Sequence, residues 1–326
     1  MQYRRLGKTN YQVSAVGFGA WQIGADWGTV DEGAALDALQ AAAAAGVTFF
    51  DTADVYGDGR SERLIGRFRR GWPASIIIAT KMGRRAPLRL DSYTRESFSA
   101  WVDRSRTNLD MDRLDLVQLH CLPQDIYYHP EIFELLDELV AEGRIAAYGV
   151  SVERVEEALK AIEYPGVDTV QIIYNIFRQR PADLFFREAI RRDIGVIARV
   201  PLASGLLTGK LRAGSAFAAD DHRNYNRQGQ AFDVGETFAG VDFERGLEAV
   251  EALRPLVPAE ASMAQFALRW ILMQEAVSTV IPGAKSADQA RANAAAADLP
   301  PLPEATMQEV DSIYREKIAP LVHQRW

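Results

Sequence analysis

The chain has a single cysteine, Cys121, so no disulfide can staple it within itself, and a reducing compartment suits it. Histidines number four, with no close pair on any strand or helix, which is a poor ligand set for a metal-dependent hydrolase. No apolar stretch approaches the roughly 18 residues a membrane span needs. The start, MQYRRLGKTNYQVSAVGFG, also lacks the continuous apolar core of a secretory signal. Together these absences point to the cytoplasm and away from the membrane. Lysines and arginines are scattered under a net charge of -7, with no run able to track a phosphate backbone, so nucleic acid is not an expected partner. There is no G-x-G-x-x-G after the first apolar run, no linker rich in Pro, Gly or Ser, and no repeat. A doubly wound dinucleotide fold and a two-domain division both lose their usual marks.

What is present is alternation. Eight short apolar runs, AVGFG, GVTFFDTA, SIIIATK, LDLVQLH, GRIAAYGVS, TVQIIYN, GVIARV and VSTVIPG, are separated by helical patterns. In DEGAALDALQAAAAAG, Asp31 can cap the helix start and Gly46 can stop its end. RESFSAWVDRSRTNLDM and EIFELLDELVAEG have the same helical character, and the alanine runs at 41–45 and 294–297 read as helix. Eight strand-helix units suffice to close a (β/α)8 TIM barrel, expected here as a single α/β domain over residues 1–326. Residues 1–14 predict an N-terminal β-hairpin cap at the barrel's bottom. Residues 211–243, after the seventh strand, are too long for an ordinary loop and predict a lid or a structured excursion, with Arg223, Tyr225 and Phe238 as candidate lid groups.

Barrels of this kind build their sites at the C-terminal ends of strands. Those ends offer Asp51 and Tyr56 after the second strand, Lys81 closing the third and His120 closing the fourth. Each has a purely structural explanation: a helix cap, a rim aromatic, a solvated strand end, a core histidine. Their joint placement on one barrel face favours a site. A tyrosine has a pKa near 10, about three units too high for easy proton transfer at neutrality, and an adjacent ammonium lowers it. Lys81 can supply that charge, and Asp51 can keep Lys81 cationic.

The motifs GVTFFDTADVYGDGRSERLIG, IIIATKMG, LDLVQLH and IPGAKSADQARAN, in this order and spacing, closely resemble the aldo-keto reductases from about residue 3 to residue 318. The resemblance implies an NADPH-dependent reductase of small-molecule aldehydes or ketones whose catalytic tetrad is Asp51, Tyr56, Lys81 and His120. It also implies a cofactor strip. Ser151 and Gln171 would bind the nicotinamide carboxamide, although Ser151 could also cap the helix beginning near Glu153. In ARVPLASGLLTGK, Arg199 takes the place where the family usually stacks an aromatic residue on the nicotinamide, and a cation there would repel the oxidised ring. Leu202, Ser204, Leu207 and Lys210 follow on the loop expected around the pyrophosphate. After the eighth strand, Gly283 precedes Lys285, Ser286 and Gln289, placed for the adenosine 2'-phosphate, and Asn293, placed for the adenine. Ala292 replaces a frequent family Glu. Lys285 is the residue that would favour NADPH over NADH. Ala20 and Trp21, after the first strand, reach the rim and would wall the substrate pocket or touch cofactor.

Two rival functions are carried with this reading. A Schiff-base lyase using Lys81 would need a neutral amine, which Asp51 opposes. A nucleotide-binding regulatory subunit with little turnover, such as occurs in the same family, would share the cofactor strip. Oligomeric state is not expressed in the sequence.

Overall fold

The computed structural model of the chain describes residues 1–24, 27–28 and 30–326. A two-stranded antiparallel hairpin, β1 (Tyr3–Arg5) and β2 (Gln12–Ser14), precedes eight parallel strands. These are β3 (Phe18–Gly19), β4 (Phe49–Asp51), β5 (Ile77–Met82), β6 (Leu116–His120), β7 (Tyr148–Val152), β8 (Val167–Ile173), β9 (Gly195–Arg199) and β10 (Val277–Val280). Each pairs with its sequence neighbour. Parallel bridges Val16–Val280 and Gly19–Gly283 join the first strand to the last, closing the expected (β/α)8 barrel. Among the described residues, no helix is long and apolar enough to cross a membrane.

The helices form where their caps and periodicity place them. Helix Glu32–Ala44 starts on Asp31, whose side chain accepts from the Ala34 amide at 3.1 Å, and Gly46 follows it at φ +90°. Arg95–Leu109 and Pro130–Ala141 occupy the other two helical stretches named from the sequence.

Because strand side chains alternate faces, each strand writes two lists. Outward residues Phe50, Ile78, Val117, Val150, Val170 and Val196 join the large core under the helices. Inward residues Phe49, Ala79, Leu116, Ala147 and Ile197 form a separate apolar plug with Leu6 and Val13 of the hairpin. The hairpin therefore caps the bottom, as expected. Its approach is close: a Cβ on Gly7, which sits at φ +52°, would lie 2.1 Å from the Gly195 amide nitrogen.

Residues 211–243 are structured and lie over the barrel mouth. They include a short helix, His222–Tyr225, and tight turns at Val234–Glu236 and Phe238–Gly240. Asp221 pairs with Trp27 in an antiparallel bridge, tying the excursion to the loop after β3. Trp326 fastens its other side, donating its Nε1–H to Asp233 at 2.9 Å while its ring lies 3.7 Å from the Arg178 guanidinium.

The turn after β4 holds an unusual buried acid. Both carboxyl oxygens of Asp54 are buried with no side-chain partner among the described residues, and burial, reinforced by the nearby Glu62, raises its pKa to about 7 despite Arg85, Arg104 and the Val55 amide. Glu62 itself accepts from Thr80 at 2.6 Å and Asn108 at 2.8 Å.

Two stability predictions follow from these packings. Leu6→Ala should destabilise the protein by about 2–5 kcal/mol in urea unfolding, because it empties the barrel floor, and it should leave ligand affinity at the mouth intact. For Asp54, the folded pKa lies above the unfolded one, so its ionisation works against folding as pH rises from about 4 to 7. Asp54→Asn should therefore gain stability over wild type across that interval, by up to about 4 kcal/mol, and the gain should level off at higher pH. A stability difference independent of pH would contradict the account.

Candidate active site

The inward face that builds the apolar floor also builds the site two or four residues further along. Phe49 leads to Asp51, Ala79 to Lys81, Leu116 to Gln118 and His120, Ala147 to Ser151, and Ile197 to Arg199. Register holds these ends level: His120 pairs with Ser151, Ser151 with Gln171, and Lys81 with Gln118. All line or underlie one cavity of about 460 Å³ at the C-terminal mouth.

At its base is a buried ion pair. Lys81 Nζ donates to Asp51 Oδ1 at 2.5 Å and to the Thr52 carbonyl at 2.8 Å, with the two side chains only 1% and 3% exposed. Asp51 Oδ2 accepts from Gln171 at 2.7 Å and from Gln118 at 3.2 Å, so both carboxylate oxygens are occupied. Burial lowers the Lys81 pKa below its ordinary value, and Asp51 only partly opposes this. Asp51 caps no helix; helix Arg60–Gly71 begins after Gly59.

Tyr56 rides on the turn above this pair. The Lys81 ammonium lies 5.1 Å from its ring centroid, Trp21 stacks on it at 6.0 Å, and His120 meets it edge-on at 5.9 Å. Here the electrostatics differ from the sequence expectation. Burial, followed by Asp51 and Glu236, raises the phenol well above its ordinary value, and Arg199 and Arg84 only partly oppose this. The lysine expected to acidify Tyr56 is committed to Asp51, and the hydroxyl is held protonated. Burial, then Arg84, Lys81 and Arg199, lowers His120, leaving a neutral imidazole.

Arg199 lines the cavity but is not a bare cation. Its Nη2 lies 2.9 Å from Glu153 Oε1 and donates to the Val152 carbonyl at 3.1 Å, and its Nη1 lies 3.7 Å from Glu236 Oε2. Arg84 Nη2 donates to Glu236 at 2.9 Å and lies 3.7 Å from Glu153. Burial pushes both carboxyls up, yet the result is uneven: Glu236 ends lowered by Arg84 and Arg199, while Glu153, beside the charged Glu236, stays raised. Cys121, Glu153 and Glu236 bring donor atoms within 4.8 Å of one another, but guanidiniums already hold the place a metal cation would take.

Along the rest of the cavity lie Ser151, Gln171, Leu202, Ser204, Lys210, Gly283, Lys285, Gln289 and Asn293, together with Trp21. Ala20 and Leu207 are fully buried behind the wall, and Ser286 caps helix Ala287–Ala295 through the Gln289 amide. Ser151 caps nothing: Glu157 takes that part for the following helix, accepting from the amides of Glu153 and Arg154. Lys285 Nζ donates to the Trp27 carbonyl, and Asn293 to the Gly283 carbonyl at 3.1 Å. The loop after β9 is strained, with Val200, Ala203 and Ser204 all at positive φ. Of the lid candidates, Arg223 reaches the cavity and covers Trp27 at 4.7 Å, whereas Phe238 packs against Phe243 at 5.0 Å and Tyr225 against Phe232 at 6.3 Å.

Sequence reading missed Gln118, Arg84, Glu153 and Glu236. Gln118 was accessible, since it lies two residues before His120 and therefore on the same strand face. Glu236 comes from the excursion and carries no periodic signal.

The model of the Aldo/keto reductase family matches residues 15–315. The chain is 30% identical over 305 residues to the aldo-keto reductase YhdN of Bacillus subtilis, covering 90% of this chain and 87% of that one. It is 26% identical over 315 residues to the NADH-specific methylglyoxal reductase of Escherichia coli, covering 90% and 93%. Among solved structures, the glycerol dehydrogenase AKR11B4 of Gluconobacter oxydans superposes with a TM-score of 0.79 at 27% identity, over 98% of this chain and 96% of that one. With a closed eight-stranded barrel and a polar cavity at its C-terminal mouth, this chain belongs to the aldo/keto reductase family.

Proposed function

We propose that the whole chain, acting as one barrel unit, reduces small aldehydes or ketones to alcohols with NADPH, and that Tyr56 is the proton donor. The observation that carries this reading is the Tyr56 phenol on the cavity wall, above a buried Lys81–Asp51 pair and edge-on to the His120 ring. The cavity's donor set fits a nicotinamide dinucleotide phosphate. Amide and hydroxyl groups from Gln171 and Ser151 stand near the tetrad, and Lys210, Arg223 and Lys285 supply positive charge further along. Bound NADPH would supply the hydride for the carbonyl carbon.

The chain's own groups do the rest. A carbonyl oxygen placed between Tyr56 and His120 receives a hydrogen bond from each, which polarises the carbonyl before transfer. As negative charge develops on that oxygen, the Tyr56 proton moves to it, and the phenolate left behind faces the Lys81 ammonium. Asp51, with Gln118 and Gln171, keeps that ammonium in place and charged. Such a carboxylate partner disfavours the imine chemistry of a Schiff-base lyase. The buried thiol of Cys121, its pKa raised by burial, suits the cytoplasmic setting that goes with this reading.

Oxidation of NADPH across a panel of aromatic, aliphatic and sugar aldehydes tests the proposal, and nucleotide binding without turnover on any of them would favour the regulatory alternative. Tyr56→Phe keeps the ring and removes the hydroxyl. Reduction should fall by about 10² or more while NADPH affinity barely changes; wild-type turnover in this variant would falsify the mechanism. Lys81→Met should also lower turnover, because the phenolate left behind would then face no ammonium and the buried Asp51 carboxylate would lose its partner. Lys285→Ala should cost NADPH roughly 1–3 kcal/mol of binding that NADH does not lose. An unchanged ratio of the two affinities would remove Lys285 from the phosphate site, a live question given that a relative is NADH-specific by name.

A further inference from the structure

We infer that Glu153 and Glu236 act together as the counter-charge to Arg199, and so set how the barrel mouth discriminates oxidised from reduced nicotinamide. The inference rests on the nicotinamide reading of the cavity. Its starting point is a conflict in the charges. Arg199 ends β9 on the cavity wall, 7% exposed, where solvent screens it poorly. An oxidised nicotinamide is a cation and a reduced one is neutral, so an unopposed guanidinium there would trap the enzyme's reduced complex and disfavour the ring that hydride transfer creates.

The structure supplies the opposing charge from two separate elements. Glu153 follows β7 and reaches Arg199 at 2.9 Å, while Glu236 descends from the excursion to the cavity wall, 3.7 Å from Arg199 and 2.9 Å from Arg84. Two guanidiniums thus face two carboxyls within one buried cluster. The carboxyls also face each other, so one of them readily keeps a proton: Glu153 is the raised member and Glu236 the lowered one. Replacing Glu236 lets Glu153 ionise in its place, and replacing Glu153 leaves Glu236 charged, so either single change keeps most of the charge. The pair works as a unit, and only removal of both exposes Arg199.

Oxidised and reduced cofactor share the adenosine, the phosphates and the ribose contacts, so the ratio of their dissociation constants isolates the charge on the ring. Titration of tryptophan fluorescence with NADP⁺ and with NADPH measures that ratio, and circular dichroism checks the fold of each variant. In Glu153→Gln/Glu236→Gln the ratio Kd(NADP⁺)/Kd(NADPH) should rise on the order of tenfold, and each single variant should move it much less. Adding Arg199→Gln to the double variant should bring the ratio back to within a few-fold of wild type. Should the double variant fail to fold, Arg199→Gln alone decides, because it must tighten NADP⁺ relative to NADPH. A ratio unmoved in the folded double variant, or in Arg199→Gln, overturns the inference. Failure of the wild-type protein to bind either nucleotide would instead sink the nicotinamide reading itself.

Discussion

A lysine and an aspartate buried together at 1% and 3% exposure set the terms for the rest of this barrel's mouth. Removing two charges from water costs several kcal/mol per ion, and attraction between them recovers this only where the geometry is close and the remaining polar atoms are filled. Here both conditions hold. The ammonium finds a carboxylate and a backbone carbonyl, and the carboxylate's second oxygen finds two glutamine amides drawn from β6 and β8. Four strands, β4, β5, β6 and β8, must therefore keep their level relative to one another. The apolar floor below, closed by Leu6 of the hairpin, holds that register by packing rather than by charge.

This dependence explains how much could be read from the chain beforehand. Strand alternation is written locally: GVTFFDTA and LDLVQLH show by their period which residues share a face, so the eight strands, the closed barrel and the convergence of Asp51, Lys81 and His120 were all legible. Gln118 was equally exposed to that logic. The turn bearing Tyr56 was legible only as a polar cluster following a strand; the stacking of Trp21 on its ring depends on a tertiary contact between two loops.

The electrostatic state of the site was not legible, and Tyr56 shows why. A pKa is a sum over neighbours, and two of those that raise or lower Tyr56, Glu236 and Arg84, lie 180 and 28 positions away along the chain. Neither belongs to any motif. Reading Lys81 as the group that acidifies the phenol left out the largest effect, burial of the phenol itself, and the lysine is already paired with Asp51.

The excursion over the mouth links these levels. It is fastened at Trp27 through Asp221, at the barrel through Glu236 and Arg84, and at the chain's last residue through Asp233 and Trp326. The loop after β9 beneath it is strained, and Ser204 within that loop donates to the Glu236 carbonyl at 3.1 Å and accepts from the Phe238 amide at 3.0 Å. Strain of this kind persists only where the surroundings over-determine the backbone. Cavity wall, strained loop and covering segment are consequently one mechanical unit, so a shift of the excursion carries Glu236 with it and changes the charge balance at Arg199 and the field at Tyr56 together.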